Sequence, residues 1–166
     1  MSFDHFLHWL ADTQFSSVMR DSLWAEPLFE TIHVLTLTVF LGFTLFLDLR
    51  MLDVVMRGKP LGRMFEQMNP YLFGGFAVMI VTGILLFSAD PVSFWATIFF
   101  KLKMIMLALA LANVLVFNHT LGKRMGEWDG KPSTPTGVKI TGLVSMILWI
   151  CVVAAGRGIA YALPPP

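Results

Sequence analysis

Residues 26–50, EPLFETIHVLTLTVFLGFTLFLDLR, decide the fold. Pro27 suits the first turn of a helix, where its missing N–H leaves nothing unpaired. From Val34 to Leu47 the stretch carries no charge. A helix from Pro27 to Leu49 is roughly 34 Å long at ~1.5 Å per residue, enough to cross a bilayer core of ~30 Å. Within this apolar rod stand Glu30 and His33, one turn apart, with Glu26 one turn earlier on the same face. Ionisable groups at membrane depth are costly, so they face a bundle interior, a partner or a bound group. His33 is the residue whose purpose the rest of the sequence has to supply.

The bulk composition agrees with a membrane setting. Of 166 residues, 56% are hydrophobic and 14% charged, with a mean hydropathy of +0.71. A soluble domain is about a quarter charged. The formal net charge of +1 gives no electrostatic footprint for nucleic acid. A single cysteine, Cys151, leaves no internal disulfide to form. The opening MSFDHFLHWL lacks a basic n-region and a small-residue cleavage site, so it does not read as a cleavable signal peptide. One compact membrane domain, 1–166, is the expected organisation.

Working outward, residues 4–23 place Phe6, Leu7, Leu10, Phe15, Val18 and Met19 among polar residues. That periodicity predicts an amphipathic helix lying at the membrane interface. His5 and His8, one turn apart on it, have a spacing that suits a metal, although exposed interfacial histidines are commoner. Three further spans are expected, at about 71–89, 94–118 and 138–163, after the first at about 27–49. Gly75, Met79 and Gly83 on the second, and Ser145, Trp149, Gly156 and Ala160 on the fourth, form stripes that let helix backbones approach. Asn113, in mid-span on the third, reads as an interhelical hydrogen-bonding group. The methionines Met79, Met104, Met106 and Met146 read as core filler rather than sulfur ligands.

Short connections give an all-α, up-down four-helix membrane bundle preceded by the interfacial helix. Arg50, Arg57, Lys59, Arg63, Lys123, Arg124, Lys131 and Lys139 fall at one end of it. By the positive-inside rule, that end is cytoplasmic and both termini face outward, to the periplasm if the membrane is a bacterial inner membrane. The tail LPPP cannot continue a helix.

Antiparallel order brings polar residues to common depths. His33 lies about 9 Å from the outer end of its span, Arg157 about 8 Å, and Lys101 and Lys103 about 11 and 14 Å, at ~1.5 Å per residue. These groups, with Glu26, Glu30, Asp90 and Tyr161, converge on the outer half of the bundle. Lys101 and Lys103 point to nearly opposite sides of their helix, so only one faces inward and the other snorkels. Taken singly, each of these residues is explained by packing or by lipid phosphates. Together they point to a bound polar or redox-active group, with the His33 imidazole and the Arg157 guanidinium meeting across the bundle. His119 closes the third span at the other end, with Asp48 and Arg50 in an expected inner-surface ion network. It is roughly 25 Å from His33 by the same rise per residue, so one haem cannot bridge the two histidines.

The stretch EPLFETIHVLTLTVFLG with LDLRML, a lysine-containing third span ending FNH, and Trp149 to Tyr161 with GRGIAY resembles a bacterial family. Its members are four-span inner-membrane proteins known only as a domain of unknown function. More distantly, a first-span histidine and a lysine opening the third span resemble the HemJ-type protoporphyrinogen oxidases and the CopD-type copper-resistance membrane domains. The HemJ resemblance implies His33 as a ligand of b-type haem, with Lys101 or Lys103 as the second functional group.

The leading expectation is a membrane protein that binds haem b and moves electrons near the periplasmic side. His33 would ligate iron, Glu30 would orient its ring, and Arg157 with a lysine would neutralise the haem propionates. Tyr161 completes the expected site. The opposite axial position stays open: a lysine, a methionine, a second subunit's histidine, or nothing. The alternative is a non-catalytic membrane subunit, a small-solute carrier or a copper-handling protein using His5, His8, His33 and methionines. Expected partners are the lipid bilayer and a membrane or periplasmic redox protein, with a homo-oligomer open and nucleic acid excluded.

Overall fold

The computed structural model describes residues 3–129 and 133–162. Lys131, the LPPP tail and the final residue of the expected fourth span lie outside the described residues. The described residues are mostly helical, in the order α1 (Phe3–Ala11), α2 (Gln14–Asp21), α3 (Ala25–Met51), α4 (Leu61–Ala89), α5 (Pro91–Ala96), α6 (Ile98–Phe117), α7 (Met125–Trp128) and α8 (Thr136–Ala162). A π-helical turn, Asn118–Gly122, extends α6. α3, α4, the extended α6 and α8 are each long and apolar enough to cross a membrane. Their outward faces carry Leu35, Phe73, Ile84 and Val116 at 60% exposure or more, a surface that suits lipid and not water. This is a multi-pass membrane protein.

The ends of the helices follow local chemistry. Ser22 Oγ accepts from the backbone N–H of Ala25 at 3.1 Å and opens α3, two residues ahead of Pro27. Asp90 caps α5 by accepting from Ser93 N at 3.1 Å, and Pro91 follows it at the first helical position. Thr97 caps α6 in the same way through Phe100 N at 3.3 Å. The expected third span therefore breaks at Thr97, and its first residues form the separate helix α5. α4 begins ten residues before the expected 71–89 span, because the polar run ahead of Tyr71 is good helix-forming sequence that Pro70 does not interrupt.

The expected single interfacial helix is two. Thr13 accepts from Ser16 N at 3.3 Å and starts α2 afresh. Ser16, fully buried, donates to the carbonyls of Ser88 at 2.7 Å and Ala89 at 3.3 Å, and Arg20 donates to Ala89 O at 3.3 Å. α2 thus supplies donors for the orphan carbonyls at the C-terminus of α4. α1 packs on α5, with Phe3 and Trp95 ring centroids 4.5 Å apart. Phe6, Trp9, Phe15 and Val18 stay exposed, the amphipathic pattern of an interface.

In the bundle, α4 packs on α3, α3 on α8, and α8 on α6. Contact between α4 and α6 is much slighter. The close approaches rest on glycine: a Cβ at Gly142 would come within 2.9 Å of Met51 Cβ, and one at Gly158 within 2.6 Å of the Phe99 ring. Gly75 likewise admits Phe40, and Asn113 bridges α6 to α8 by donating to Thr141 O at 3.1 Å, as its mid-span position suggested. Of the expected fourth-span stripe, Ser145 and Trp149 are buried, whereas Ala160 is exposed. One buried cluster lies at mid-depth around Phe40, Ala110, Trp149 and Val152. Another lies toward the basic end around Leu47, Met51, Leu61, Phe117 and Trp128.

Candidate functional site

α3 carries His33 against α4. His33 Nδ1 lies 2.8 Å from Thr82 Oγ1, and Thr82 is buried. The Thr82 hydroxyl donates its one proton to the Val78 carbonyl at 2.7 Å. Its oxygen can then accept from the imidazole Nδ1–H. In that tautomer Nε2 keeps its lone pair, the arrangement of a ligand ring whose orientation is set by its other nitrogen. Gly83, beside Thr82, lies against the same ring, since a Cβ there would stand 3.5 Å from His33 Cε1, an ordinary packing distance.

Lys103 is the lysine that faces inward. Its Nζ lies 3.8 Å from the position a Cβ would take on Gly156 of α8, and its charge is close enough to act on His33. Lys101 points elsewhere, its ammonium 5.7 Å from the centroid of the Trp95 ring. An ammonium held partly inside a bundle at this depth calls for an anion or a polar ligand. Among the described residues no carboxylate forms an ion pair with Lys103.

Other members of the expected outer site do not join them. Glu26 and Glu30 are exposed on α3, and it is Thr82, not Glu30, that engages His33 Nδ1. Arg157 is exposed, donating to Tyr161 Oη at 3.3 Å with its guanidinium 5.4 Å over that ring. Tyr161 is itself 81% exposed. One helical turn separates the two, so local stacking in α8 takes the guanidinium out of the bundle. The meeting of imidazole and guanidinium expected from depth alone does not occur. His5 and His8 are exposed on α1, and the described residues contain no group of three His, Cys, Asp or Glu arranged to hold a metal.

The expected inner network of His119, Asp48 and Arg50 is also redrawn. His119 is exposed and its Nδ1 contacts Leu115 O, one turn back in its own helix, at 2.9 Å. Arg50, 2% exposed, pairs instead with Asp53 at 3.0 Å and donates to Thr134 Oγ1 and the Lys59 carbonyl. Asp53 also accepts from the Thr134 amide at 2.9 Å and hydroxyl at 2.6 Å, and pairs with Lys139 at 2.9 Å. Burial pushes the Asp53 carboxyl up, but the bonds from Thr134 and Lys139 outweigh it and hold the group well below the usual carboxylate range. Asp129 braces the same end by accepting from the Leu61 and Gly62 amides at 2.5 and 2.8 Å, which caps α4. These contacts staple the connection between α3 and α4 to the start of α8.

Asp48 stands apart from that staple. It is 4% exposed, faces the Ser145 hydroxyl on α8, and its Oδ2 has no hydrogen-bond partner. Thr82, Asp53 and Thr134 escaped the sequence reading. A hydroxyl beside Gly83 on a helix face was the available signal for Thr82. Asp53 adopts φ +57°, which an aspartate does not announce.

The family described as "Family of unknown function (DUF6644)" matches residues 7–162, and the chain belongs to it. No curated protein and no solved structure matches the chain.

Proposed function

We propose that this protein binds one b-type haem at His33 and carries electrons toward the outer, periplasmic side of a bacterial inner membrane. The observation that carries the reading is the His33–Thr82 contact, which with the proton on Nδ1 makes the Nε2 lone pair available on a ring held at membrane depth. Imidazole is a common axial ligand of haem iron. Lys103 would supply the counter-charge for a propionate, the role first expected of Arg157 together with a lysine. Haem, when bound, supplies reversible one-electron chemistry. The protein's own part is to hold the imidazole by Thr82 and to turn the Lys103 ammonium into the bundle.

The orientation with both termini periplasmic rests on the basic end formed by Arg50, Arg57, Lys59, Lys123 and Arg124. A membrane or periplasmic redox protein is the partner this reading calls for. The test is haem content after expression with haem in excess, measured as pyridine haemochromogen on the purified protein. One haem b per chain is expected; haem-free protein overturns the reading. Stoichiometric copper without iron would instead favour the copper-handling alternative.

A further inference from the structure

The slight contact between α4 and α6 leaves a cavity of about 380 Å³ in the basic half of the bundle. Its size lies within the ~300–1,000 Å³ of small-molecule sites. Phe40, Phe76, Phe117 and Trp149 are among its walls, and its lining is almost wholly apolar. Its buried polar residues are Ser145 and Asp48, and Asp48 Oδ2 has no hydrogen-bond partner. Exposed Asn69 and Asn118 stand at one edge and exposed Phe73 and Leu111 at another, so the cavity is reached from the basic end and from lipid.

We propose that this cavity is a binding site for an apolar organic cation, an aryl-alkyl amine or a molecule of that class, with its ammonium on Asp48. A buried carboxyl group is costly to ionise without a counter-charge, and an ammonium that pairs with it offsets that cost. The protein's nearby cations are committed elsewhere: Arg50 to Asp53, Thr134 and the Lys59 carbonyl, and Lys139 to Asp53. A metal ion is a poor occupant, because one carboxylate among aromatic walls offers too few ligands. An anion would find no cationic side chain in the lining. Aromatic faces attract a cation and also accept an apolar body. The site is independent of the haem reading.

The experiment uses full-length protein in zwitterionic-lipid nanodiscs, with empty nanodiscs subtracted, and calorimetric titration of three probes of matched shape: 4-phenylbutylamine, 4-phenylbutanol and butylbenzene. The amine is expected to bind at least ~tenfold more tightly than either neutral probe, a difference of about 1.4 kcal/mol. Asp48→Asn should abolish that preference while leaving butylbenzene affinity unchanged. Leu111→Trp, at an exposed rim position, should weaken all three, and it serves as the test if Asp48→Asn does not fold. Equal binding of amine and alcohol, amine binding that survives Asp48→Asn, or amine binding unaffected by Leu111→Trp overturns the proposal.

Discussion

Replacing Thr82 with valine isolates the contact on which the outer site depends. The two side chains have nearly the same shape, so the α3–α4 packing around Thr82 should persist. What disappears is the oxygen 2.8 Å from His33 Nδ1. The Nδ1–H is then left without that acceptor in a half-buried position, a cost of about 1–3 kcal/mol. The tautomer preference is lost with it, and the ring is free to turn. Loss of such an orienting partner lowers metal affinity by about 10–100-fold, or roughly 1.4–2.7 kcal/mol. The assay is titration of haem-free protein in nanodiscs with haem, followed at the Soret band. Thr82→Ser retains the oxygen and should bind within about threefold of wild type, so size and hydrogen bonding are separated. A Thr82→Val protein that is folded by thermal melting and binds haem as tightly as wild type refutes the argument that Thr82 prepares the ligand.

The staple at the basic end gives predictions about stability. Asp53→Ala leaves the buried Arg50 without its carboxylate and should cost about 3–5 kcal/mol, read as a lowered melting midpoint in nanodiscs. Because the folded-state pKa of Asp53 lies below its unfolded value, its contribution is complete above about pH 4 and fades as pH falls through the folded value. The difference in midpoint between wild type and Asp53→Ala should be constant from pH 8 to 5 and shrink in stronger acid. At the outer site, Lys103→Met should lower haem affinity about tenfold, or 1.4 kcal/mol. Lys101→Met should leave it unchanged, since that ammonium lies over Trp95.

Periodicity and length made the bundle legible. Uninterrupted apolar runs near Val34, Phe76, Leu107 and Ile147 leave little choice but spanning helices, and Asn113 could be assigned because an amide in mid-span needs a partner. Depth was legible in part: His33 meets Thr82 on α4, and Lys103 turns inward beside Gly156 on α8. Rotation about each helix axis was not. Arg157 and Glu30 have the right depth and the wrong azimuth, which tertiary packing and the local Arg157–Tyr161 pair decide. The inner network failed for a different reason. Asp53 reaches Arg50 and Thr134 only through a left-handed backbone turn at φ +57°, and Thr134 lies far along the chain. The cavity beside Asp48 was likewise hidden, because it arises from two consecutive spans that do not close on each other.

The reduced-minus-oxidised difference spectrum of purified wild type beside His33→Ala tests the central claim most directly. The account predicts b-type Soret and α bands in wild type and their loss in the variant, with the variant still folded. Bands of full amplitude in His33→Ala would contradict it.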